Sequence, residues 1–231
     1  KRPGRDYKLE LSDMILMLLL YYRSYVTQMF VGYLFGIDDS RVCRIIQRLE
    51  PILASVMAIE KRKKLSQEEV ESLLIDATEQ LIERPKRRQK PYYSGKKKRH
   101  TLKTEIRLTL KGRIVHVSKP HPGSVHDFTV FKGEQLPPKE SRLFVDSGYQ
   151  GIADIHSNAD FPYKKSKNNT INAEDKAYNT ALSRLRIRIE HRFAQLKIFK
   201  ILSDRYRNKL KRYGIKFNIV AGIVNLKNGF A

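Results

Sequence analysis

A chain of 231 residues with 41% hydrophobic and 10% aromatic content can bury a sizeable core, which excludes a wholly disordered polycation. Forty-six Lys and Arg against 24 Asp and Glu leave a formal charge of +22, a field that attracts polyanions and points to nucleic acid before any other partner. The single cysteine, Cys43, excludes an internal disulfide and a cysteine-rich zinc site, and the longest apolar run, 14–22, is too short to cross a bilayer. With no secretory leader ahead of that run, the expectation is a soluble, cytoplasmic protein with no membrane partner.

In chain order, residues 11–22 read as a helix entered through Ser12 or Asp13, residues 25–34 as a second, and residues 40 to about 53 as a third. A glycine turn at Phe35-Gly36 and a cap at Asp38-Asp39-Ser40 make the second and third resemble a helix-turn-helix with its recognition helix last. Val42, Ile45, Ile46 and Leu49 would pack inward, and so would Cys43. Ser40, Arg41, Arg44, Gln47 and Arg48 would face a DNA groove; an ordinary helical hairpin with exposed arginines fits the same pattern. Residues 61–69 are polar and form a linker running into the capping signal Ser66-x-x-Glu69, which divides the chain into 1–60, 61–69 and 70–231.

Beyond the linker the period changes. Residues 73–82 read as a strand, 101–110 and 113–118 as a hairpin turning at Lys111-Gly112, and 142–146 as another strand. Ser124 or Asp127 can cap a short helix through Lys132, and long helical patterns follow at 173–200 and 214–227. This order predicts an α/β domain with a mixed sheet flanked by helices. It also holds most of the charge, with 34 Lys and Arg against 15 Asp and Glu in residues 70–231. Residues 84–99 carry nine basic residues and no acid, a candidate surface for tracking a phosphate backbone, or a solvated basic loop.

Three acids stand out against this background. Asp76 follows Leu73-Leu74-Ile75 inside a strand, where Asp is depleted, so it needs an Arg, amide donors or a metal ion as partner. Asp146 ends the strand Leu143-Phe144-Val145, where open α/β sheets place their sites, although Asp-Ser-Gly is also ordinary turn chemistry. Glu190 lies on a stripe with Ser183, Arg186 and Lys197 beside the apolar stripe of Leu182, Leu185, Ile189, Phe193 and Leu196, so it is expected to border the core, or simply to pair with Arg186 one turn away. Together the three can hold two hard divalent cations, the arrangement that phosphodiester chemistry uses, with Arg186 and Lys197 placed to neutralise phosphates.

At these residues the chain resembles the DDE-superfamily transposases, specifically the insertion-sequence-five and Harbinger-like group. The resemblance is carried in order by Ile75-Asp76-Ala77-Thr78-Glu79, by Tyr93-Ser94-Gly95-Lys96-Lys97-Lys98-Arg99-His100-Thr101-Leu102-Lys103, by Pro122-Gly123-Ser124-Val125-His126-Asp127, by Val145-Asp146-Ser147-Gly148-Tyr149-Gln150-Gly151, and by Arg186, Glu190 and Lys197. It implies an RNase H-like catalytic domain in which Asp76, Asp146 and Glu190 are the catalytic, metal-holding acids, using two Mg2+ with Mn2+ as a substitute. It further implies double-stranded DNA as partner, both the element's inverted-repeat ends and a target, and a homo-oligomer in the DNA complex. Lys96, Lys97 and Lys98 would form a DNA-gripping hairpin tip. Asp127 is the rival for the middle acid; Asp146 is preferred because the second acid of an RNase H-like layout follows the fourth strand, whereas Asp127 sits where it would cap a helix. Ser183 stands where a related group carries Tyr, so any contact made by that tyrosine does not transfer. Two alternatives remain open from sequence: a metal-dependent nuclease without strand transfer, and a DNA-binding protein whose acids no longer hold metal.

Overall fold

Helix α1 (Leu11–Ser24) begins after Glu10, so Ser12 and Asp13 lie inside its first turn and do not cap it, and it ends where Tyr25 turns left-handed at φ 52°. Tyr25 therefore closes α1 and cannot open the next helix. Instead α2 (Gln28–Phe35) starts after Thr27, whose hydroxyl accepts a hydrogen bond from the Phe30 amide at 3.2 Å. After Gly36 and Ile37, the Asp38 carboxylate accepts from the Arg41 amide at 2.9 Å and starts α3 (Asp39–Met57). This helix passes the end expected near residue 53 because the carbonyl orphaned by Pro51, that of Gln47, accepts a hydrogen bond from Arg212 at 3.3 Å. Val42, Ile45, Ile46 and Leu49 are buried, and Ser40, Arg41, Arg44, Gln47 and Arg48 are exposed. Cys43 is only half-buried, at the edge of that face, with its sulfur 3.0 Å from the Gln47 amide nitrogen.

The computed structural model describes residues 8–57, 59, 67–165 and 171–230; of the linker expected over 61–69, residues 61–66, with Ser66 of the capping signal, lie outside the described residues, and 67–69 fall in a helical turn. A short turn, α4 (Gln67–Val70), leads into β1 (Ser72–Leu81), followed by α5 (Gln89–Tyr92), β2 (Tyr93–Ser94), β3 (Arg99–Thr109), β4 (Ile114–Val117) and β5 (His121–Pro122). Then come α6 (Asp127–Lys132), β6 (Arg142–Phe144), β7 (Ala159–Asp160), α7 (Ala173–Lys197), α8 (Lys200–Ser203) and α9 (Tyr213–Lys227). The strands order as β2-β3-β1-β6-β7, with β4 and β5 also on β3. Pairing is antiparallel between β1 and β3 and between β3 and β4, and parallel between β1 and β6 and between β6 and β7. This is the mixed, RNase H-like sheet. The β3–β4 hairpin turns at Lys111-Gly112, where Gly112 adopts φ 89°. Strands β2, β5 and β7 have two residues each, too few to show an alternation in sequence.

Alternation on β1 sorts the core. Leu74 faces the side of the sheet covered by α7 and α9, with Ile106, Leu108, Phe144, Ile189 and Phe217, whereas Leu73 and Ile75 face the side of α6 with Phe131, Leu143 and Tyr149. Buried residues of α1 and α3 belong to the same cluster as α9 and the sheet, so the helix-turn-helix is fused to the sheet through a shared core. A fully buried acid fastens the junction. Glu50 of α3 accepts a hydrogen bond from Tyr22 at 2.9 Å and pairs with both Arg212 and Lys216.

Candidate active site

Strand register places the first two acids. Parallel pairing sets Leu73 beside Leu143 and Leu74 beside Phe144, the last pair of that ladder; two residues further along each chain come Asp76, still within β1, and Asp146, just past the end of β6 and near enough for its charge to act on Asp76. The chain turns through a short 3-10 segment, Ser147–Tyr149, with the Asp146 carboxylate accepting from the Gly148 amide at 2.7 Å. The strand expected over 142–146 is shortened by this turn, and the departure of β6 leaves a crevice beside the middle of β1, past the carboxyl end of β6.

Asp76 sits in that crevice only 17% exposed. Its carboxylate accepts from its neighbour Ala77's amide at 2.7 Å and from Arg186 of α7 at 3.1 Å. Burial pushes its pKa up to about 6; Arg186 opposes the shift, and the charges of Asp146 and Asp127 add to it. Asp76 thus binds its proton more tightly in the folded protein than in the unfolded chain, where its ordinary value is 3.8. The sign follows. Stability from this group is fully present below pH 3.8 and is lost as pH rises through about 6. In metal-free buffer, Asp76→Asn, which mimics the protonated acid, is expected to stabilise the protein by on the order of 2 kcal/mol at pH 7.5 and by almost nothing at pH 4. Thermal unfolding at the two pH values checks this; equal midpoints for parent and variant at pH 7.5 would refute it.

The third acid is placed differently. Glu190 is exposed on α7, not bordering the core, and among the described residues it makes no ion pair or hydrogen bond. The local pair expected with Arg186 does not form because Arg186 reaches across to Asp76. Glu190 nevertheless shares a stripe with groups that face Asp76: Arg186 one turn before it touches Asp76, and Lys197 two turns after it feels Asp76's charge. Lys197 is held below the ordinary lysine range by desolvation first, then by Lys97, with Asp76 acting in the opposite direction. That coupling brings the β2–β3 hairpin tip, which carries Lys96, Lys97 and Lys98, close to the end of α7. Its turn is tied by the Lys97 amide donating to Ser94 at 3.1 Å and by Lys98 at φ 52°.

Asp127 does not cap α6. His126 holds the cap position, and Asp127, the first helical residue, forms an ion pair at 2.7 Å with Lys103, a buried lysine that also donates to the Val125 carbonyl and stands 3.8 Å from Glu79. A Cβ added at Gly148 would lie 2.9 Å from an Asp146 carboxylate oxygen and 3.0 Å from one of Asp127, so these two acids flank the same glycine. The charged partners Lys103, Glu105 and Arg107 carry no assigned role in the sequence reading, although their period-two spacing opposite Leu102, Ile106 and Leu108 is a readable signal. Glu105, fully buried and pushed up to about 7 by burial, accepts from Arg107 at 2.9 Å and from Tyr149 at 3.3 Å, fixing the turn that carries Asp146. Tyr149 is thus a core residue, Tyr92 is half-buried, and Tyr93 is exposed edge-on to His100.

Among the described residues no three His, Cys, Asp or Glu side chains converge closely enough to hold an ion. The donor set still suits a hard divalent cation: carboxylate oxygens from mid-β1 and from just past β6, with Asp76 destabilised as an anion by burial first and then by the charges of Asp146 and Asp127, which a cation would offset. No helix among the described residues is long and apolar enough to cross a membrane.

Comparison with known proteins agrees with this arrangement. Residues 7–59 match the helix-turn-helix of DDE superfamily endonucleases, and residues 75–225 match the DDE superfamily endonuclease domain itself. A protein of Microchaete diplosiphon, named as the probable transposase for insertion sequence element IS702, is 40% identical over 97% of this chain and 83% of its own length. One from Streptomyces albus G, named as a transposase for insertion sequence element IS112, is 27% identical over 98% of this chain and 83% of its own. With the helix-turn-helix model matched ahead of the endonuclease model, the chain belongs to the DDE superfamily endonucleases of the transposase type.

Proposed function

We propose that the protein is a transposase that binds the ends of an insertion element, cleaves the DNA strand there and joins the freed end to target DNA. The observation that supports this reading is the nearness of Asp76 on β1 to Asp146 just past β6, with Arg186 of α7 bonded to Asp76 and Lys197 feeling its charge. In this reading Asp76, Asp146 and Glu190 hold two Mg2+, or Mn2+ in their place. Ions held there would supply Lewis-acid activation of an oxygen nucleophile and charge stabilisation for the leaving oxygen of an in-line displacement. The chain's own groups do the rest. Arg186 releases Asp76 and, with Lys197 and Lys97, neutralises the phosphates flanking the cut. Glu105 and Tyr149 hold the Asp146 turn in place. Ser40, Arg41, Arg44, Gln47 and Arg48 on α3 read the element end, and Lys96 and Lys98 grip the backbone beside the site. We further propose that the chain works as a homo-oligomer, one copy on each element end.

The Arg186–Asp76 ion pair favours one rival, a DNA-binding protein in which Arg186 permanently neutralises Asp76. One experiment separates the readings. Full-length protein is incubated with a duplex carrying the element end, Mg2+ and a supercoiled target plasmid. Joined products are expected; cleaved but unjoined ends would leave a plain nuclease, and bound but intact ends would leave the inert DNA-binding protein.

A further inference from the structure

Helix α7 has a second polar flank. At 3.6 residues per turn, Arg188, Arg192 and Gln195 fall on the side opposite Arg186, Glu190 and Lys197. Together with His191 and the β3–β4 turn at Lys111-Gly112 they line a cleft of about 540 Å³. The cleft contains no carboxylate, and among the described residues Lys111, Arg188 and Arg192 form no ion pair with any acid. Their geometry is fixed all the same. Arg188 donates to the Leu110 carbonyl, and Arg192 donates to the Gly112 carbonyl at 2.6 Å and to the side chains of Gln195 and Asn228. Gly112, at φ 89°, is what lets the turn come this close, since a Cβ there would stand 2.8 Å from the Arg192 guanidinium. Held guanidiniums without an acidic partner, in a cleft with no acid in its lining, have a vacant role that a phosphate fits. Burial alone, with no compensating acid, holds the Arg192 guanidinium below its ordinary value, consistent with a charge awaiting a counter-ion.

We propose that this cleft is a second DNA-binding surface that grips the phosphate backbone of a duplex, without base readout, on the far side of α7 from the carboxylate crevice. Backbone contact is the chemistry indicated because the charged groups of the lining, Lys111, Arg188 and Arg192, are all cations, while Phe, Tyr and Trp, the broad stacking platforms for bases, are missing from it. The inference stands beside the proposed reaction and does not depend on it.

The test uses the full chain and a random-sequence duplex, followed by fluorescence anisotropy across a range of NaCl. Each neutralised phosphate contributes about 0.9 to the slope of log affinity against log salt. Lys111→Ala with Arg188→Ala is therefore expected to lower that slope by about 1.8 and to weaken binding about tenfold or more at low salt. The charge-matched pair Lys139→Ala with Lys176→Ala, both exposed and outside the cleft, should change it little. Should Arg188→Ala loosen α7, as thermal unfolding would show, Lys111→Glu alone keeps the question open, with an expected slope loss of at least about 0.9. An unchanged slope in a folded cleft variant, or an equal loss in the control pair, overturns the inference. A protein that binds through the cleft but never cleaves DNA leaves the inference standing and removes the proposed reaction; one that cleaves with an unchanged slope does the reverse.

Discussion

Asp76→Asn, Asp146→Asn and Glu190→Gln are each expected to lower Mg2+-dependent strand cleavage by on the order of 10³-fold or more while leaving end binding within about threefold. The separation of the two effects follows from where the groups lie. The acids sit in the middle of β1, just past β6 and on α7, whereas the exposed face of α3 that would meet the element end lies in the N-terminal helices. Amide replacements keep size and hydrogen-bonding capacity, so loss of cleavage with retained binding reports loss of charge at the metal-holding atoms. Glu190 is the most exacting of the three, because it is exposed and its claim rests on sharing a helical stripe with Arg186 and Lys197. If Glu190→Gln cleaves like the parent while Asp127→Asn does not, the third acid is Asp127, which already flanks Gly148 together with Asp146. Cleavage assays on an end-containing duplex, paired with gel-shift titration of the same samples, supply both readouts.

The largest effect on stability is expected at Glu50. Replacing it with Ala leaves the buried Lys216 ammonium and the Arg212 guanidinium without their counter-charge and removes the acceptor for Tyr22, at an expected cost of about 3 to 5 kcal/mol. Burial already pushes the Lys216 ammonium down from the ordinary lysine range, with Glu50 opposing that shift, so removal of the acid favours a neutral Lys216. Replacing Glu50 and Lys216 together by Met is expected to recover a large part of the loss, since the pair's own desolvation cost disappears with it. Urea unfolding of the parent, the single variants and the double variant measures the coupling; strictly additive losses would contradict a shared buried ion cluster.

Much of this was legible because the sequence broke its own local rules in the right places. Asp76 in an apolar strand and Asp146 at a strand end were conspicuous against strand propensity, and the parallel crossover expected between their strands is what aligns them. The inward face of α3 followed from helical spacing alone, and Val42, Ile45, Ile46 and Leu49 are buried. What stayed hidden depended on contacts between distant segments. Arg186 had a local partner in Glu190 and a tertiary one in Asp76, and the buried acid wins because its charge is poorly solvated. Lys103 pairs with Asp127 because α6 packs over β3, and no spacing within either segment announces it. Glu50 looked like one more polar residue near the end of a helix until α9 delivered Lys216, and the turn before it Arg212, to it.

The core shared by α1, α3, α9 and the sheet has a consequence for how the protein measures DNA. A reader and a cutter joined by a slack tether would tolerate any number of base pairs between the motif grasped and the bond broken. Here α3 is bolted to α9 through Glu50, and α9 packs on the same face of the sheet that carries Asp76. On the proposed function the molecule would act as a ruler: inserting base pairs between the contacted motif and the scissile phosphate should abolish cutting rather than shift its position.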